Sequence, residues 1–199
     1  DVILSDMRMP RLDGTGLTAL TPLAADHDVR YSPDGRWFLD LSSRVDLGPV
    51  LELRRSADGS LAHTVERTDL SHLLAAGWQP PLPFHTPGRD GKTEIWGVIF
   101  RPQQLDAQQP YRVVEYIYAG PQGSFVPKRF TTRTPPLTGL GFAVAQIDGM
   151  GTNNRSRAFH DVAWRNLKDA GLPDRIAWHK AAAARYPWYD IRGGVGVYG

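Results

Sequence analysis

"GFAVAQIDGMGTNNRSRAF", residues 141–159, decides how this chain folds. Phe142, Ala143, Val144, Ala145 and Ile147 are apolar on both faces of a strand candidate instead of alternating with polar residues. A run of that kind belongs to a sheet covered on both sides. Asp148-Gly149-Met150-Gly151 then breaks the strand with a glycine turn, and the spacing changes. In "RAFHDVAWRNLKDAG", residues 157–171, Phe159, Val162, Ala163, Leu167 and Ala170 recur at helical intervals, and Gly171 stops the run. One helix is expected over this stretch. A second is expected in "LPDRIAWHKAAAARYP", residues 172–187, where Pro173 and Asp174 give a start signal and consecutive alanines supply propensity.

Working outward, "EIWGVIF" (94–100), "YRVVEYIYA" (111–119) and "GVGVY" (194–198) read as further strands. Strands with helices between them predict an α/β region whose later strands run parallel. Residues 26–66 have another rhythm. Pro33-Asp34-Gly35 is a turn signal ahead of a strand from Arg36 to Leu41, and "PVLELRR" and "LAHTVE" are two more strands separated by an Asp58-Gly59 turn. Turns at such short spacing predict an antiparallel meander. Between the two regions a short helical stretch ends at Gly77, and Pro80, Pro81, Pro83 and Pro87 follow. Proline removes backbone donors and fixes φ, so regular structure is expected to be interrupted here.

The 199 residues are 41% hydrophobic, enough for one sizeable core. The formal charge is +2 with basic residues scattered, so no nucleic-acid partner is expected. There is no cysteine, which excludes a disulfide framework, a thiolate metal site and a cysteine nucleophile. No apolar run is long enough for a membrane span. The six histidines show no zinc-binding spacing, and Asp148-Gly149-Met150-Gly151 lacks the full glycine pattern and lysine of a phosphate loop. His160-Asp161 reads as a surface pair, because adjacent helical residues point apart. Trp96, Trp164, Trp178 and Trp188 are expected to pack the core. No cofactor and no metal are implied.

The chain closes on "IRGGVGVYG", residues 191–199. In an open α/β sheet, reactive groups gather at strand carboxyl ends, and a nucleophile elbow, G-x-S-x-G, starts with a glycine at such an end. Gly199 occupies that position, which would put a serine two residues beyond it. By itself the run reads more simply as a strand that ends in glycine. Both ends of the chain look cut.

Several pieces in order carry a resemblance. "RDGKTEIWGVIFRP" (89–102), "EYIYAGPQGSFVPKRF" (115–130), the opening stretch, "DRIAWHKAAAARYPWYD" (174–190) and "YSPDGRWFLDLSSRVDLGPVLELRRSADG" (31–59) together resemble the prolyl oligopeptidase family of serine peptidases, in particular its dipeptidyl-peptidase branch. The resemblance covers about residues 26–199. It implies a closing β-propeller blade over 26–75, then the N-terminal half of an α/β-hydrolase domain over 76–199, truncated before the nucleophile elbow. It further implies that Tyr118 is the oxyanion-hole tyrosine and that the Ser-Asp-His triad lies beyond Gly199. The implied substrates are short peptides, with proline or alanine next to the N-terminal residue. The implied parent is a homodimer, periplasmic or cytoplasmic, and this chain alone is expected to be inactive.

The first twenty residues fall outside that picture. "DVILSDMRMPRLDG" resembles the receiver domain of bacterial two-component response regulators, with Asp6 at the phospho-accepting position. The acidic pair that holds Mg²⁺ in that family is absent, as are its later strands. Residues 1–25 are therefore read as a receiver-like fragment. Three alternatives stay open: signalling through Asp6, an esterase of the same fold, and a non-catalytic interaction module.

Overall fold

The structure, a computed structural model, describes residues 19–168 and 170–199. They divide into two compact units. One runs up to Ala76 and takes in Lys128–Thr131; the other comprises Gly77–Pro127 and Thr132–Gly199.

The first unit is a four-stranded antiparallel meander: β1 (Asp26–Tyr31), β2 (Trp37–Arg44), β3 (Leu47–Arg55) and β4 (Leu61–Arg67), paired in sequence order. This is the architecture of a propeller blade. The turns form where Asp-Gly pairs allow. Gly35 and Gly59 both take positive φ (68° and 72°). Asp34 accepts from the Ser32 hydroxyl and the Arg36 N–H, which closes the first turn. β1 went unread in the sequence because "DHDVRY" is mostly polar. It forms by pairing with β2, from Asp26 opposite Ser43 to Tyr31 opposite Phe38. α1 (Ser71–Ala75) buries none of its residues, and Gly77 follows at φ 86°.

The second unit is a mixed sheet in the order β10-β7-β8-β6-β5, built from β5 (Leu82–Pro87), β6 (Glu94–Phe100), β7 (Tyr111–Tyr116), β8 (Ala143–Asp148) and β10 (Gly196–Tyr198). The short β9 (Tyr189–Asp190) also pairs with β7. β7 runs parallel to β8, β9 and β10, while β6 and β5 complete the sheet in antiparallel pairing. All six residues of β8 are buried, as its two-faced apolar pattern requires. β5 corrects the expectation of an irregular connector. Pro83 and Pro87 lie within it, and the sheet accepts them because β5 is an edge strand whose missing donors face no partner.

The helices differ from expectation in one place. α3 (Leu172–Arg185) forms as read, with Pro173 in its first turn, and it ends where Tyr186 turns extended ahead of Pro187. It buries Asp174, Arg175, Trp178, His179 and Ala182, a stripe at helical spacing. The helix expected over 157–171 is only α2 (Arg157–Asp161). Arg165 sits in left-handed backbone (φ 55°), which a right-handed helix cannot pass through. Trp164 and Leu167 are consequently exposed, not core residues.

The core gathers Ile95, Ile99, Val113, Ala145 and Ile147 from the sheet and Trp178 and Ala182 from α3. Trp178 is fully buried, and its indole N–H donates to the Phe84 carbonyl (3.1 Å). Gly97 lies beneath it. A Cβ there would come within 2.6 Å of the indole ring and 2.9 Å of the Gln146 carbonyl oxygen. Neither neighbour can retreat, so Gly97→Ala is expected to cost about 1–3 kcal/mol by overpacking. Urea unfolding of the two proteins measures it as a lower midpoint with unchanged slope.

Candidate active site

Three parallel strands, β10, β7 and β8, bring their carboxyl ends to one side of the sheet, the side on which open α/β sheets bind ligands. Val114, Glu115 and Tyr116 pair with Gly196, Val197 and Tyr198. One residue further on, the Ile117 N–H donates to the Tyr198 carbonyl (2.8 Å). The rings of Tyr116 and Tyr198 stack at 4.7 Å. Tyr118 comes next, just past the end of β7, with 58% of its surface exposed. Gly199 lies alongside, where a Cβ would run into the Ile117 carbonyl oxygen. Tyr118 therefore follows directly on the residue bonded to the end of β10, and its side chain is exposed.

The loop after Tyr118 has no regular structure, yet it is tied down along its length. His160 Nε2 meets the Pro121 carbonyl (3.0 Å), the Asn153 N–H donates to the Gly123 carbonyl (3.1 Å), and the Asn154 amide donates to the Ser124 hydroxyl (3.2 Å). Asp148, buried at the carboxyl end of β8, accepts from the N–H groups of Phe125 (2.8 Å) and Val126 (3.1 Å). Phe125 in turn packs edge-on to Tyr116 (4.8 Å) and tilted against Tyr118 (5.8 Å).

Behind this tip lies a buried polar cluster. Glu115 of β7 pairs with Arg175 of α3, and its second oxygen is 3.0 Å from His179 Nε2. His179 Nδ1 is 2.9 Å from the Tyr189 hydroxyl. Burial, reinforced by the Arg175 charge, pushes the His179 pKa from its ordinary 6.5 down to about 4. The imidazole is thus neutral near pH 7. A carboxylate can only accept, so Nε2–H donates to Glu115 and Nδ1 accepts from Tyr189. Burial lowers Arg175 to about 10, which leaves it charged at neutral pH, and raises the Tyr189 phenol.

Sequence reasoning singled out Tyr118 but not the residues that order the loop after it. His160, read as a surface residue, braces the loop, while Asp161 stays exposed beside Arg157. Asp148, read only as part of a glycine turn, supplies two anchoring bonds. Glu115 could have been noticed as the one acid inside an apolar strand, with Arg175 and His179 spaced i, i+4 on the facing helix. Asp6 and the receiver-like stretch lie outside the described residues. Among the described residues, no group of three or more histidines and acids could hold a metal ion, and no helix is long and apolar enough to cross a membrane.

Comparison with known proteins bears on this geometry. Residues 128–199 match the model of the prolyl oligopeptidase family. The chain is 29% identical over 129 residues to human (Homo sapiens) dipeptidyl peptidase 8, covering 60% of this chain and 14% of that protein. It is 30% identical over 190 residues to a probable dipeptidyl-aminopeptidase B of Emericella nidulans, covering 90% of this chain and 20% of that one. The chain thus spans a fifth or less of the length of these relatives. The crystal structure of Porphyromonas gingivalis dipeptidyl peptidase 4 superimposes with a TM-score of 0.69 at 22% identity, over 91% of this chain and 26% of that one, and shares its fold.

The His179 cluster sets a pH dependence. A group whose folded pKa lies below its unfolded value contributes stability above the unfolded pKa and loses it on acidification. Stability is expected to fall as pH drops from 6.5 through about 4, with up to about 3 kcal/mol from this histidine. Thermal melts across that window test it; a flat profile would contradict the buried neutral imidazole.

Proposed function

We propose that this chain is part of a serine peptidase of the dipeptidyl-peptidase type, which hydrolyses short peptides by acyl transfer. Its serine, aspartate and histidine come from residues outside these 199. The observation that carries the reading is the position of Tyr118: exposed, two residues past β7, next to the residue bonded to the end of β10. The family match over residues 128–199 and the dipeptidyl-peptidase relatives support it.

In such a site the serine hydroxyl attacks the peptide carbonyl, histidine takes the proton and returns it to the leaving amine, and the carbonyl oxygen becomes an oxyanion. Tyr118 is the donor from this chain. Its phenol O–H hydrogen-bonds the oxyanion as charge develops, and the backbone N–H that follows the serine supplies the second bond. A donor aimed at developing charge accelerates the step because it binds the transition state more strongly than the ground state. The close fit of Gly199 against Ile117, the residue before Tyr118, supports a nucleophile on a turn that follows β10. The preference for proline or alanine as the second substrate residue is part of the same reading.

Two measurements test it. The 199-residue chain, assayed at nanomolar concentration with a Gly-Pro or Ala-Pro chromogenic substrate, is expected to match buffer; turnover blocked by a serine-directed phosphonate would refute its inactivity. In a polypeptide that joins this chain to the remainder of the catalytic domain, Tyr118→Phe is expected to lower kcat by about 10²–10³-fold, or ~2.7–4 kcal/mol, with KM little changed. An unchanged kcat removes Tyr118 from the reaction.

A further inference from the structure

We propose that Asp148 is a positioning residue for Tyr118, acting through the Phe125 ring. The inference rests on the oxyanion reading of Tyr118 and deepens it. An exposed tyrosine at a strand end is held poorly by its own backbone, because its ring turns freely about two torsions. A donor displaced by about 1 Å forfeits much of its effect, on the order of 10²-fold in favourable cases. Something must therefore fix the ring, and the structure offers an aromatic neighbour, Phe125, tilted against it with ring centroids 5.8 Å apart. Phe125 lies on an irregular loop: its ring packs edge-on to Tyr116 of β7 (4.8 Å), but its backbone belongs to no strand or helix.

The hold comes from Asp148. Its two carboxylate oxygens take one N–H each, from Phe125 and from Val126, so both peptide planes around the Phe125 Cα are fixed by a single group. N–H bonds to an ionised carboxylate are stronger than those to a neutral acceptor, and Asp148 is only 2% exposed, so water does not compete for them. The carboxylate is itself placed by β8, whose Asp148 pairs with Trp96 of β6. The chain of contact runs from a rigid strand, through two backbone bonds and one ring, to the phenol. The three further ties at Pro121, Gly123 and Ser124 hold the middle of the loop, but none is at the residue that touches Tyr118.

Asp148→Asn tests this, since the amide keeps the shape and one acceptor but puts an N–H₂ opposite one of the two backbone N–H donors. The assay uses the polypeptide that joins this chain to the remainder of the catalytic domain. Asp148→Asn is expected to lower kcat by about 10–10²-fold with KM nearly unchanged. In a Tyr118→Phe background the same change is expected to cost less than about twofold, because the group it positions is already gone. Phe125→Leu should lower kcat in the same direction, and it decides the matter if Asp148→Asn does not fold. The inference fails if Asp148→Asn leaves kcat intact while Tyr118→Phe does not, if the two losses multiply in the double variant, or if Phe125→Leu is silent. Should Tyr118→Phe itself be silent, the oxyanion reading falls and takes this inference with it.

Discussion

A single carboxylate holds the second unit together. Asp174 has no exposed surface and accepts four hydrogen bonds: from the Arg89 N–H (2.9 Å), twice from the Arg89 guanidinium (3.1 and 2.8 Å), and from the Met150 N–H (2.9 Å). It therefore joins the turn that leads into β6, the turn that leaves β8, and the first turn of α3, where a negative charge also favours the helix dipole. Removing one member of such a buried pair typically costs ~3–5 kcal/mol, because the survivor is left charged and unpaired. The glycines nearby answer to the same constraint. A Cβ on Gly88 would lie 2.9 Å from Asp174 Oδ1, and one on Gly149 would lie 2.8 Å from the Gly171 carbonyl oxygen. With those approaches made, Trp178 is seated over Gly97 and the core closes.

Asp148 repeats the device one turn away. Both acids stand where a strand or helix meets a loop, and both take backbone N–H groups that the loop cannot satisfy by itself. The difference lies in what they hold: Asp174 joins elements of the core, whereas Asp148 holds a loop against an exposed tyrosine. Glu115 forms a third such center, paired with Arg175 and neutral His179 directly behind the end of β7. The carboxyl tip of the sheet is thus backed by fixed charge and faced by an ordered loop.

The first unit buries polar residues beside Phe38 and Val50. β2 buries Asp40 and Ser42 while Leu39 and Leu41 are partly exposed, and Leu61 and Val65 of β4 are exposed as well. The buried side is made tolerable by pairing: His27 Nδ1 meets Asp40 at 2.7 Å, and Arg54 binds Glu52 and the Gly59 carbonyl. A sheet with polar pairs inside and leucines outside can form a meander because its turns and register are set locally.

Local chemistry made much of this legible. Asp-Gly turns, the two-faced apolar runs of β6 and β8, and the Pro-Asp start and alanine run of α3 act over a few residues, so the sequence determined these elements by itself. The likeness to the dipeptidyl peptidases was also legible, through an ordered set of short segments. What the sequence could not decide were features that depend on distant partners. β1 is a strand because β2 pairs with it, and the prolines of β5 are tolerated because it is the edge. α2 stops early through a left-handed Arg165 that no propensity marks. Asp148, Asp174 and Glu115 look like ordinary acids in the chain; their roles appear only when N–H groups and cations from 22 to 85 residues away are brought to them by the fold. Buried charge is costly unless it is paired, and pairing at that range is a property of tertiary structure alone.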